Sequence, residues 1–107
     1  MTLYSQDRWV VLEARENKEE SIRKVYAGWY GGYLGSDTWK LSSGIIKVNE
    51  DEKAYEFINV SGSIYRCYKH SYGMTGWMGR QLEYWQESLV DLQDASIVII
   101  EEYEPKI

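Results

Sequence analysis

After Gly73 the apolar residues of this chain change period, and no other feature limits the possible folds as strongly. Met78, Leu82, Trp85, Leu89 and Leu92 recur at offsets of four, three, four and three, the stripe of a helix that buries one face. Arg80, Gln81, Glu83, Gln86, Glu87 and Asp91 fall away from that stripe, Thr75 is placed to cap the helix, and Asp94 is its expected end. Ahead of Gly73 the apolar residues alternate as strands do, so the chain is expected to be an α+β fold with the sheet first and one amphipathic helix near the C-terminus packed on it.

Five strand segments are legible before the helix. Trp9-Val10-Val11-Leu12 opens the first and Ile22 to Tyr30 forms the second, in which Val25, Ala27 and Trp29 share one face. The glycine-rich stretch from Gly31 to Asp37 turns the chain. A third strand runs from Thr38 to Val48, but Trp39 and Leu41 have one parity and Ile46 and Val48 the other. The phase slips at Ser42-Ser43-Gly44, and a bulge there returns both pairs to one core. Asn49 to Lys53 is a polar hairpin turn, Tyr55 to Ile58 the fourth strand, and Ile64 to Lys69 the fifth after the turn-rich Asn59 to Ser63. Beyond the helix, Ser96 to Glu101 is a continuously apolar sixth strand, expected to be buried on both faces, with Pro105 marking its end. The expected architecture is a curved antiparallel meander of five to six strands.

With 107 residues the chain supports one core, hence a single domain spanning 1–107. One Cys cannot form an internal disulfide, no apolar run approaches membrane-spanning length, and no basic, apolar leader opens the sequence. A cytoplasmic protein without a membrane partner is the expectation. Seventeen Asp and Glu against twelve Lys and Arg give a net charge of −5, which opposes binding to a phosphate backbone. The acidic runs Glu19-Glu20, Glu50-Asp51-Glu52 and Glu101-Glu102-Tyr103-Glu104 read as solvated turns and termini rather than as mimics of nucleic acid.

Catalytic constellations are sparse. Cys67 and His70 are the only thiol and the only imidazole, and three residues apart at the end of a strand they start on opposite faces. A hydrolase using Cys67 or His70 is therefore the least favoured reading. Structural zinc lacks ligands, and neither metal nor cofactor is expected. Ser61-Gly62-Ser63 reads as a turn, and Gly31-Gly32-Tyr33-Leu34-Gly35 lacks the Gly-Lys-Ser/Thr ending of a phosphate loop.

Binding remains. Ten Tyr and five Trp stand against the single Phe57, so nearly every aromatic couples an apolar body to a hydrogen-bonding tip. Ten Tyr exceed what so small a core can bury with satisfied hydroxyls. The strand phases assign Trp29, Trp39 and Trp85 to the core and leave Tyr30, Tyr33, Tyr65, Tyr68 and Tyr72, beside glycine-rich turns, as the candidate binding residues. They are expected to engage a partner protein, with a homodimer as one use of the surface. The alternative is an aromatic-lined pocket for a small molecule or carbohydrate.

The runs Gly28 to Leu34, Asp37 to Ile45 and Ser61 to Lys69 resemble those of small bacterial accessory proteins of unassigned function carried on mobile DNA, as in integron gene cassettes and prophages. The similarity covers about residues 9 to 75. It implies an adaptive or defensive role exercised by binding, and it transfers no catalytic residue and no ligand.

Overall fold

In the computed structural model, residues 2–15, 20–31, 38–90 and 95–100 are described. The two longest strands, β2 (Arg8–Arg15) and β3 (Ile22–Trp29), show why Trp9 to Leu12 is apolar at every position. They pair antiparallel with Trp9 opposite Ala27 and Val11 opposite Val25, and both faces of the pair are covered. Trp9, Val11, Val25 and Ala27 belong to one core, Val10, Leu12 and Tyr26 to another. Fully burying one such aliphatic side chain contributes about 1.5–3 kcal/mol, so β2 joins two cores that each depend on it.

Eight strands are present among the described residues, divided between two sheets rather than drawn into one. β4 (Thr38–Leu41) pairs with β3, which completes one side of the first sheet. The second sheet begins with β1 (Leu3–Ser5) and takes β5 (Ile45–Glu50), β6 (Ala54–Asn59) and β7 (Ile64–Tyr68) in the order β1-β7-β6-β5. Its neighbours are antiparallel except β1, which lies parallel to β7 with Tyr4 opposite Tyr65. A single 3-10 turn (Lys69–Ser71) leads to the helix α1 (Gly76–Leu89), and β8 (Ser96–Ile99) returns to the first sheet beside β2.

The layers therefore run helix, first sheet, second sheet. Tyr55, Phe57, Tyr65 and Cys67 meet Trp9 and Val11 between the sheets, while Met78 and Leu82 of α1 close over Val10, Leu12, Tyr26 and Ile97. Trp39 and Trp85, placed in the core by their strand and helix phases, pack against the helix-side core with ring centroids 5.1 Å apart. Trp29 packs against the inter-sheet core.

The phase slip at Ser42 to Gly44 marks a crossing between sheets, not a bulge within one strand. Ser42 N–H donates to the Val25 carbonyl at 2.9 Å, and Val25 N–H donates to Ser42 Oγ at 2.9 Å. The hydroxyl thus takes the donor that a carbonyl of β4 would accept if the strand continued. The chain then turns at Gly44, whose φ of 141° favours glycine. A register shift does occur, but later, between Ile45 and Lys47.

Two further expectations change. β1 lies outside the strands read from the sequence, and β8 is an edge strand whose Val98 is 48% exposed. Ile97 and Ile99 of β8 pack against the helix-side core while Val98, of the opposite parity, is exposed.

The helix begins as its sequence predicts. Met78 N–H donates to Thr75 Oγ1 at 3.2 Å, and Thr75 N–H donates back to Met78 Sδ at 3.4 Å, a reciprocal cap in which a thioether takes the place of the usual carboxylate. Gly28 lets this end of the helix approach β3, since a Cβ there would lie 2.2 Å from Met78 Sδ. The helix ends at Leu89, short of the expected Asp94, and Leu92 and Asp94 lie outside the described residues.

Candidate functional site

The five tyrosines read from the sequence are not brought together. Tyr65 is 1% exposed, stacked on Tyr4 with ring centroids 4.8 Å apart. Burial, aided by Tyr4 and Cys67, pushes its hydroxyl up to about 12. It is a core residue, because the alternation of β7 turns Tyr65 and Cys67 inward together.

Tyr72 is half-buried, its ring edge-on to Trp9 at 4.7 Å. Its hydroxyl accepts from Val11 N–H at 3.3 Å and donates to the Ile100 carbonyl, so it joins the junction after β7 to the first sheet. Tyr68 is half-buried on the outer face of the second sheet, with the Arg66 guanidinium 5.4 Å from its ring centroid. Tyr30 is 52% exposed at the end of β3, where its hydroxyl accepts from Arg8 Nε at 3.3 Å. Tyr33 lies outside the described residues. Two aromatics not among the five, Trp77 and Tyr84 on α1, are also solvent-facing.

The surface with the strongest departure from expectation is aliphatic. An antiparallel sheet packed on one side should alternate apolar-in and polar-out, and the second sheet follows this on its inner face. On its outer face Leu3 lies directly opposite Ile64, and Ile64 opposite Ile58. The register shift leaves Ile46 as an extra residue beside the Lys47–Ile58 pair. One aliphatic row therefore crosses β1, β7 and β6 and meets Lys47 on β5 with Ile46 beside it, Leu3 being 61% and Ile46 65% exposed. The signal for it was in the sequence, as Leu3, Ile46, Ile58 and Ile64, but only the register aligns them.

Beside this row runs a charged one. Arg66 Nη1 pairs with Glu56 Oε2 at 3.1 Å and Nη2 with Asp51 Oδ2 at 3.0 Å. Asp51 Oδ1 accepts from Lys53 N–H and Ala54 N–H, both at 2.8 Å. Those backbone bonds, followed by Arg66, hold its carboxyl below the usual range. Lys69 pairs with Glu50 nearby. Arg66 is shared between two carboxylates, so the row borders the aliphatic strip with one negative charge in excess.

Nucleophilic chemistry has little support in this geometry. Cys67 is fully buried, and Gln6 Nε2 donates to its Sγ at 2.8 Å. Burial pushes the thiol well above its ordinary range, which suppresses the thiolate a nucleophile needs. His70 sits on the exposed 3-10 turn. Among the described residues no group of three or more His, Cys, Asp or Glu is placed to hold a metal ion, and no helix is long and apolar enough to cross a membrane. Compared with protein-family models, with curated proteins and with solved structures, the chain finds no match in any of the three.

Proposed function

We propose that this chain is a protein-binding module that acts through the outer face of its second sheet, with a second copy of itself as the partner. The observation that carries the reading is the aliphatic row of Leu3, Ile64, Ile58 and Ile46 on a face that no other layer covers among the described residues. Contiguous apolar surface of this kind marks interaction sites, and a row running across the strands can pack on its own copy about a two-fold axis. The paired Arg66, Glu56 and Asp51 form a polar border of the sort that surrounds an apolar contact. The accessory role implied by the resemblance to proteins carried on mobile DNA is exercised, in this reading, by association and not by chemistry.

The test is solution mass, measured by light scattering at increasing concentration. Wild-type protein is expected to dimerise, and the double variant Leu3→Lys/Ile46→Lys to be monomeric, with the urea midpoint that wild type shows at concentrations too low for association, since both side chains are exposed. A wild-type monomer at high concentration, or a double variant that still dimerises, overturns the proposal.

A further inference from the structure

The two sheets separate where the chain enters β3 and where it crosses into β5, and a groove of about 550 Å³ opens there. Its walls are aliphatic. Ile22 comes from the start of β3, Ile45 and Val48 from β5, and Val60 from the turn after β6. Ile22 and Val60 are 51% and 69% exposed, although the neighbouring inter-sheet core is closed. Gly44 keeps them apart. A Cβ at that position would lie 3.2 Å from Ile22 Cγ2 and 3.7 Å from Val60 Cγ2, filling the space between the two walls.

The polar end of the groove is Arg23. Its side chain is half-buried, and its guanidinium makes no ion pair or hydrogen bond with any of the described residues. The carboxylate directly across the ladder, Glu13, is engaged elsewhere, with Oε1 accepting from Ser21 Oγ at 2.6 Å. The Ser43 hydroxyl at the rim already donates to Ser61 Oγ and accepts from Ser61 N–H, both at 3.0 Å. Arg23 is therefore the donor left over. A guanidinium presents a planar fork of donors matched to a carboxylate, and this one stands beside an apolar trough in a chain of net charge −5.

We propose that this groove binds a small amphipathic carboxylate. Its aliphatic chain lies along Ile22, Ile45, Val48 and Val60, and its carboxylate pairs with Arg23. A single cation fits one negative charge better than a phosphate dianion, and Glu13 alongside disfavours higher charge still. The site is independent of the sheet-face association, because Leu3, Ile58 and Ile64 take no part in it.

Methyl NMR on the full chain tests this, with octanoate as the probe, octanol as the neutral chain and acetate as the head alone. Octanoate is expected to shift the Ile22, Ile45, Val48 and Val60 methyl signals saturably at millimolar concentration, and octanol to bind about tenfold more weakly, the loss of one charge-assisted pair. Acetate is expected to leave the methyls unmoved. Arg23→Gln should bring octanoate down to the octanol level while leaving octanol unchanged, and Glu13→Gln should tighten octanoate by removing the nearby like charge. The proposal fails if octanoate and octanol bind equally and Arg23→Gln changes neither. It also fails if the Leu3 and Ile64 methyls respond in place of the groove, or if no signal saturates. Dimer mass is measured on the same samples, so loss of association and loss of ligand binding are scored separately.

Discussion

Ser42→Ala isolates the device that lets the chain leave one sheet for the other. The serine is 3% exposed and Val25 fully buried, and Val25 N–H donates to Ser42 Oγ at 2.9 Å. Replacing the hydroxyl by hydrogen removes one atom and leaves that N–H without its acceptor in a site closed to water. A buried donor left unpaired costs about 1–3 kcal/mol, whereas the bond itself is worth only about 1 kcal/mol net. The larger figure governs, because Val25 is fully buried and water does not replace the lost acceptor. With a urea m-value of about 1.5 kcal/mol/M, a loss of about 2 kcal/mol lowers the unfolding midpoint by about 1.3 M. Hydrogen exchange supplies the local reading, in which the Val25 amide loses protection more than Trp9 or Val11 on the neighbouring strand. Ser42→Thr, which keeps the hydroxyl, should restore most of both. A Ser42→Ala midpoint within about 0.3 M of wild type, with Val25 protection intact, would refute the claim that the side chain stands in for a strand carbonyl.

Gly28→Ala places a methyl 2.2 Å from Met78 Sδ and 2.9 Å from its Cγ, so it should cost about 1–3 kcal/mol by overpacking. Adding Met78→Ala should cost less than the sum of the two single changes, a non-additivity readable from urea midpoints. Alkaline stability follows from Tyr65. Its hydroxyl is raised to about 12 in the folded state against an ordinary 10.0, so the unfolded chain gives up the proton first. The stabilisation is fully present below pH 10 and is lost as pH rises towards 12, at up to about 1.4 kcal/mol per pH unit for this group. Tyr65→Phe should flatten that fall in a denaturation series between pH 10 and 12, and an unchanged slope would remove Tyr65 from the account.

The helix was legible because its signals are local. The stripe from Met78 to Leu89 and the cap at Thr75 lie within a few turns of each other, and both stand in the structure. The hairpin at Asn49 to Lys53 is equally local, since Asp51 accepts the turn amides itself. Long-range pairing left weaker traces. Leu3-Tyr4-Ser5 is too short to register as a strand, and its parallel partner Ile64 to Arg66 is remote in sequence. The parity change near Ser42 was read as a bulge because a bulge and a crossing between sheets shift the alternation alike. Hydrogen bonds separate the two, and Ser42 keeps its bonds to Val25 while Gly44 and Ser43 already bond to Val60 and Ser61.

The same limit explains why Tyr65 was expected at the surface and is buried, while Ile58 and Ile64 face outward. Period two divides each strand into two faces but says nothing about which face meets a second sheet. In β7 the inward set is Tyr65 and Cys67 and the outward set Ile64, Arg66 and Tyr68, and a one-sheet reading offers no reason to bury a tyrosine while exposing an isoleucine. Once a second sheet is present the reason is volume. The space between the sheets takes Trp9, Tyr55 and Phe57 in tilted and edge-on contacts and Tyr65 stacked on Tyr4, and each such ring buries a large apolar area. On β6 and β7 the isoleucines of the opposite parity are thereby turned outward, where Ile58 and Ile64 line up with Leu3. The core's demand for aromatic bulk and the apolar outer row are thus one consequence of a single strand phase.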